Sequence, residues 1–238
     1  MAAFQDKMAG IAYYQFIEKL DKEFEERKDD LVKELSHLMQ EILRPEYLCV
    51  SYTAERESLE DVRKQVRALK QTLHQEPVTL HHQDILCKKE NEGFTTSGQV
   101  QYVAQTGNFR KKGYDYTGAL NILKVALSYD YLWTNIRVKG GAYGCMSGFK
   151  RSGESFFVSY RDPHLKRTLD VFRGIPEYVR SFTADEREMT KYIIGTISNL
   201  DQPMTPALKG DRSMNLYMNH VTEDMIKEER AQVLEATQ

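Results

Sequence analysis

Residues 135–161 read NIRVKGGAYGCMSGFKRSGESFFVSYR, and this stretch decides the fold. Its first part is a turn between a helix and a strand, built around Gly140, Gly141 and Gly144. Residues 144–150 and 154–161 then flank the tight turn Arg151-Ser152-Gly153. Two short apolar-rich runs about such a turn predict an antiparallel hairpin, with Phe156, Val158 and Tyr160 on one face. Upstream, residues 99–104 (QVQYVA) alternate polar and apolar like a half-buried strand, and Tyr116, Leu120, Leu123 and Leu127 mark a helix. Downstream, helices are expected at about 164–181, 184–199, 205–220 and 222–236, the second opened by a capping box of Thr183 and Glu186.

Toward the N-terminus the rhythm differs. Tyr13, Phe16/Ile17, Leu20 and Phe24, then Leu31, Leu35, Leu38/Met39 and Ile42, recur at helical spacing and predict two helices or one bent helix. The charge run at 25–30 (EERKDD) reads as a solvated turn or exposed helical face. Pro45 closes this region, because proline disfavours helical geometry in the residue before it. Residues 47–53 (YLCVSYT) are short and rich in β-branched and aromatic side chains, as a strand is. Ser58 and Asp61 offer a capping box ahead of the stripe Leu59, Val62, Val66, Leu69, Leu73. Residues 74–93 break every period and read as a linker between two units, 1–88 and 89–238. The second unit has few strands for a sheet of ordinary size, and no C-cap signal follows the last helix. Both features suggest a piece of a longer protein, incomplete at its termini.

The chain has 238 residues, 41% hydrophobic and 29% charged, with 33 Lys+Arg against 35 Asp+Glu for a net charge of -2. That balance argues against a nucleic-acid partner, which a basic surplus would serve. No apolar run approaches the ~18 residues that cross a bilayer, so no membrane role is expected. The opening MAAFQDKMAG has neither the basic nor the apolar part of a secretory signal. Three widely spaced cysteines, Cys49, Cys87 and Cys145, read as reduced thiols in a cytoplasmic protein.

The segment 135–145 admits two readings. In one the glycines make a turn, with Arg137 solvated and Tyr143 half-buried. In the other it is a ligand clamp: glycines let a peptide or phosphate approach the backbone, the guanidinium pairs with a carboxylate, and the phenol donates one hydrogen bond. The spacing fits neither nucleotide-binding glycine motif. His81, His82, Asp84 and Cys87 are metal-ligand types within seven positions, but a zinc site needs four well-placed ligands and no second set follows, so no intrinsic metal site is expected. Tyr13/Tyr14 with Phe16, and Tyr129/Tyr131/Trp133, are read as core or inter-unit packing, and Met204, Met214, Met218 and Met225 as gap fillers. Asp185, Glu186 and Glu188 suit a first helical turn better than paired-carboxylate catalysis. Cys145 has no histidine nearby in sequence and is not read as a nucleophile.

Residues 137–144 (RVKGGAYG), with 91–94 (NEGF) and 98–103 (GQVQYV), closely resemble the C-terminal half of presequence-protease-like enzymes, in the pitrilysin/insulinase family of zinc metalloendopeptidases. The resemblance implies α+β units of the processing-peptidase-like (LuxS/MPP-like metallohydrolase) kind, each an antiparallel sheet covered by helices, four to a protein, enclosing a chamber for unstructured peptides. Residues 1–88 would be the end of the third unit plus the linker, and 89–238 the fourth. The family's arginine and tyrosine fall on Arg137 and Tyr143. The first would bind substrate beyond the cleaved bond, and the second would donate to the scissile carbonyl oxygen as charge develops there. Gly140 and Gly141 would shape the loop that presents both. The family's zinc motif, H-x-x-E-H, is missing: none of His37, His74, His81, His82, His164 and His220 begins one. Zinc is therefore expected in the N-terminal half of the parent enzyme, the partner of this chain, with no metal bound here and no hydrolysis by this chain alone. A free-standing, non-catalytic peptide-binding or partner subunit is the alternative. The compartment implied is the bacterial cytoplasm, or an organellar matrix in a eukaryote.

Overall fold

A computed structural model describes residues 2–77 and 97–237. The chain forms two compact units, Met1–Phe94 and Thr95–Gln238.

The first unit is helical. Three helices, α1 (Ala2–Ala9), α2 (Ile11–Lys22) and α3 (Phe24–Ile42), follow one another, and α4 (Leu59–Thr72) comes after an irregular stretch. The charge run 25–30 is an exposed face of α3, where Lys28 pairs with Glu25 at 2.8 Å and Lys33 with Asp30 at 3.0 Å. The helix stops three residues short of Pro45. Just before that proline, Arg44 is buried; its Nε donates to Glu46 at 2.5 Å and its Nη1 to the Glu76 carbonyl at 2.7 Å, while the His74 N–H donates to the Leu43 carbonyl at 3.1 Å. These bonds fasten the end of α3 to the chain leaving α4. The apolar stripes of these helices are only partly covered by described residues: Leu20, Leu31, Val62 and Val66 are half-buried, but Phe16, Leu35, Met39, Ile42 and Leu69 are exposed.

Two expectations fail here. Residues 47–53 are not a strand: a 3-10 turn occupies Pro45–Tyr47 and irregular chain follows. Strand propensity is realised only against a pairing partner, and the described part of this unit offers none. The Ser58/Asp61 capping box also does not form, since Ser58 ends a 3-10 turn (Arg56–Ser58) in helical geometry and its side chain caps nothing.

The second unit holds the sheet. Strands β1 (Gln101–Asn108), β2 (Gly144–Phe149) and β3 (Glu154–Asp162) pair antiparallel in the order β1-β3-β2. The predicted hairpin is present, and Gly144, Met146 and Gly148 stand opposite Tyr160, Val158 and Phe156. The core lies on the other face of the sheet. There Phe157 meets Phe172 at 6.0 Å and Phe149 at 6.1 Å, above a buried cluster of Val103, Leu127, Leu132, Ile136, Ala142, Phe172 and Ile175.

Helix α5 (Ala119–Ala126) runs into a π-helical segment, Leu127–Val138. Its inward residues Leu127, Leu132 and Ile136 are spaced five and four apart, wider than an α-helical stripe. Four helices follow: α6 (Leu165–Ser181), α7 (Glu186–Leu200), α8 (Pro206–Met218) and α9 (Glu223–Leu234). The capping box of α7 is two residues later than expected. Asp185 accepts the Glu188 N–H at 2.8 Å and the Glu188 carboxylate accepts the Asp185 N–H at 3.2 Å, so Thr183 and Glu186 are not the pair. At the cap the Asp185 carboxylate is a stronger acceptor for the orphan N–H groups than the Thr183 hydroxyl.

Tyr116 precedes α5 and belongs to a polar clasp. Its hydroxyl donates to Glu229 of α9 at 2.6 Å, Asn121 donates to the same carboxylate at 2.8 Å, and Arg151 of the hairpin turn pairs with it. Burial, with the neighbouring carboxylate, pushes the Tyr116 phenol up to about 12. The C-terminal helix is thus held to the hairpin. Tyr13, Tyr14, Phe16, Tyr129, Trp133 and Met218 are exposed and so lie outside the core; Tyr131 alone of its cluster is part of the core layer. His81, His82, Asp84, Cys87 and residues 91–94 lie outside the described residues. No described helix is long and apolar enough to cross a membrane.

Candidate functional site

The site is built where the π-helical segment ends. Its last turns fold back on themselves: the Lys139 N–H donates to the Thr134 carbonyl at 3.0 Å, Gly141 to Arg137 at 2.9 Å and Ala142 to Ile136 at 3.2 Å. Gly141 takes φ +76°, the left-handed geometry that ends many helices and that a side chain would strain. Gly140 is required for a different reason. A Cβ there would lie 2.3 Å from the Ile136 carbonyl oxygen, inside the backbone of the turn itself. Both glycines picked out in the sequence are thus needed, one for conformation and one for space.

Ala142 then plugs the core, and Tyr143 emerges with 58% of its surface exposed. The reversal brings Arg137 back toward it: the guanidinium carbon lies 5.8 Å from the Tyr143 ring centre and 4.2 Å from that of Trp133. Trp133 sits four residues before Arg137, one turn along the same helical face. Its indole supports the cation by a cation–π contact and leaves the guanidinium's edge open. Tyr143 is supported in turn by Tyr160, whose ring centre is 5.4 Å away at 58°, and by its own N–H, which donates to the Arg161 carbonyl at 3.3 Å. A second guanidinium, that of Arg161, lies 5.6 Å from the Tyr143 ring. Neither arginine pairs with a carboxylate among the described residues.

Below this surface lies a buried anion. Asp162 is fully buried and accepts hydrogen bonds from Ser159 Oγ at 2.5 Å, Thr168 Oγ1 at 2.7 Å and the His164 N–H at 2.8 Å. It pins the corner between β3 and α6 on which Arg161 and Tyr160 stand. Cys145 is half-buried against the core, and burial pushes its thiol up, the nearby Arg137 offsetting this only in part. A thiol in such surroundings is a poor nucleophile. Alkylation with iodoacetamide at pH 8 should therefore label Cys145 more slowly than the exposed Cys49; equal rates by peptide mapping would contradict this.

The structure thus brings Arg137 and Tyr143 together on one surface, joined by a turn in which Gly141 is exposed and Gly140 buried. Sequence reading missed Trp133, Tyr160, Arg161 and Asp162 as parts of it. The spacing of Trp133 to Arg137 was visible in the sequence, but the others depend on strand pairing. Among the described residues no group of three His, Cys, Asp or Glu side chains is placed to hold a metal ion. What the surface offers is cationic and phenolic hydrogen-bond donors, suited to carbonyl and carboxylate oxygens.

Residues 91–238, more than half of the chain, match the sequence pattern described as the PreP C-terminal domain. Protein HypA of Clostridium perfringens is 39% identical over 234 residues, which cover 98% of this chain and 24% of that protein. Presequence protease 1, chloroplastic/mitochondrial, of Arabidopsis thaliana is 32% identical over 231 residues, 96% of this chain and 21% of that protein. The chain therefore spans less than a quarter of the length of these relatives. Among solved structures, the periplasmic protease PqqL from Escherichia coli is similar over 76% of this chain and 21% of its own, with 18% identity and a TM-score of 0.46.

Proposed function

Because the chain belongs to the PreP C-terminal domain family, within the presequence-protease-like peptidases of the pitrilysin/insulinase group, we propose that it is the non-zinc-binding C-terminal segment of a peptidase that degrades unstructured peptides. In this reading residues 1–88 complete a third LuxS/MPP-like unit and 89–238 form the fourth. The N-terminal half of the same protein is its partner, and the whole acts in the bacterial cytoplasm or an organellar matrix. The zinc of that family does not fit this chain, whose sequence lacks H-x-x-E-H.

The observation that carries the proposal is the approach of Arg137 to Tyr143 on an exposed surface, with no acidic partner among the described residues for the guanidinium. Arg137, its plane fixed on Trp133, binds a carbonyl or carboxylate of the peptide beyond the cleaved bond. Tyr143 donates its phenolic proton in a hydrogen bond to the scissile carbonyl oxygen, and that bond strengthens as the oxygen gains negative charge. Gly140 and Gly141 hold the two groups in register. Because donors on a preformed surface need no reorganisation, the chain contributes to rate and to capture without forming a covalent bond.

Arg137→Ala in the intact parent enzyme should lower kcat/KM for peptides by about 10- to 150-fold, the range of one charge-assisted contact. Arg137→Lys should recover only part of this, because an ammonium cannot reproduce a planar fork held on an indole. A kcat/KM equal to wild type in Arg137→Ala would leave that arginine a surface residue and remove the proposal's support.

A further inference from the structure

A β-bulge sets the direction of Arg161. Along the β1–β3 ladder Gln101 pairs with Asp162 but Val103 pairs with Ser159, so two residues of β3, Tyr160 and Arg161, stand against the single Tyr102 of β1. Without the extra residue, strict alternation would send Arg161 to the same face as Ser159 and Phe157, under the helices. Instead Asp162 takes the inward place, and Arg161 is exposed beside Tyr143.

The backbone at this point is unfavourable for an arginine. Arg161 has φ +49°, and only one other described residue that is not glycine, His220, has a positive φ. Glycine or asparagine would take this geometry more easily. Arginine is kept there by everything around it: the three hydrogen bonds to Asp162, the proline at 163, and the Tyr143 N–H on its carbonyl. Such an over-determined residue next to a site points to a use for its side chain. The nearest carboxylate in sequence, Asp162, has its oxygens engaged by Ser159, Thr168 and the His164 N–H, and no described acidic side chain pairs with the Arg161 guanidinium.

We propose that Arg161 is a specificity-determining residue of this site: with Arg137 it sets two cations about the exposed Tyr143 phenol, which selects peptides carrying a carboxylate close to the cleaved bond. The proposal rests on the peptide-binding role given above to Arg137 and Tyr143, and it names the class of peptide that role favours. The carboxylate can come from an Asp or Glu side chain or from the peptide's own C-terminus. Either is an acceptor that a guanidinium meets with two parallel hydrogen bonds. Two guanidinium groups, each within 6 Å of the same phenol ring and without a described counter-ion, also disfavour Lys or Arg at that place.

The test uses the intact parent enzyme and three matched sets of quenched fluorescent peptides. One set varies Asp against Asn at each position flanking the cleaved bond, one varies Lys against Gln there, and one ends shortly after the bond as either free acid or amide. Wild type should prefer the acid to its neutral twin in kcat/KM by about tenfold, the size of one charge-assisted contact. The set in which the preference appears separates side-chain from C-terminal carboxylate. Arg161→Gln and Arg161→Gly should bring the acid-to-neutral ratio close to one, and Arg161→Lys should keep only part of it, because an ammonium cannot make the two parallel hydrogen bonds. The glycine variant suits the positive φ, so its bulge is retained and a loss of selectivity in it is not a folding defect. A ratio unchanged in Arg161→Gly, or an equal fall on acidic and neutral peptides, would overturn the inference and leave Arg161 a support for Tyr143. Tyr143→Phe is assayed on the same peptides. If it is impaired while the Arg161 variants keep the wild-type ratio, only the present inference fails; if it is unimpaired, the reading of the site beneath it fails as well.

Discussion

Replacing Tyr143 by phenylalanine in the intact parent enzyme is expected to lower kcat by about 10²- to 10³-fold, the loss typical of one donor to a developing oxyanion. The substitution removes one oxygen from an exposed ring that rests on Tyr160 and lies within 6 Å of two guanidinium groups. Those contacts are made by the ring and not by the hydroxyl, so the loop should keep its shape. KM should change little, because a donor that acts on the transition state contributes mainly to kcat. Steady-state kinetics on a quenched peptide separates the two constants. An unchanged kcat would sink the oxyanion role; a raised KM with normal kcat would make Tyr143 a binding residue only.

The second large effect is on stability. Asp162→Ala is expected to destabilise the chain by about 3 kcal/mol, since it strips a buried carboxylate from Ser159, Thr168 and the His164 N–H, leaving donors that burial keeps from water. That is a large share of the ~5–15 kcal/mol by which domains are stable. The unfolding midpoint should fall by roughly 6–12 °C at this chain length. Asp162→Asn should cost about half as much, as its amide oxygen still accepts and the two hydroxyls can rotate. Urea denaturation followed by circular dichroism measures both. A loss below about 1 kcal/mol in Asp162→Ala would show that the corner is not held by this anion.

The parts of the fold that were legible in the sequence are those where local pattern and tertiary role agree. The hairpin at 144–161 is one, with its glycine turn and alternating faces, and the helices near α2, α3, α6, α7, α8 and α9 are others. Residues 47–53 failed because strand propensity measures fit to a neighbouring strand, and no neighbour follows from the segment itself. The π-helical segment failed for a related reason. A template of period 3.6 cannot accommodate Leu127, Leu132 and Ile136, which only the wider turn aligns. Within the site, Arg137, Gly140, Gly141 and Tyr143 were found because their spacing is local. Arg161 and Asp162 were missed because their placement comes from a two-against-one mismatch between β1 and β3, a property of the pairing and not of either strand. The rings of Tyr13, Tyr14 and Phe16 are not core residues of this chain, because an apolar stripe says that a face should be covered without saying by what.

The central claim is that Tyr143 and Arg137 meet a peptide at the bond being cleaved. The direct measurement is the structure of the intact parent enzyme bound to a peptide whose scissile nitrogen is methylated, which keeps the carbonyl in place. The expected result is a Tyr143 hydroxyl at a hydrogen-bond distance of about 2.6–3.2 Å from that carbonyl oxygen, with the Arg137 guanidinium on the peptide beyond it. A peptide bound elsewhere in the protein, with both side chains left in solvent, would contradict the account.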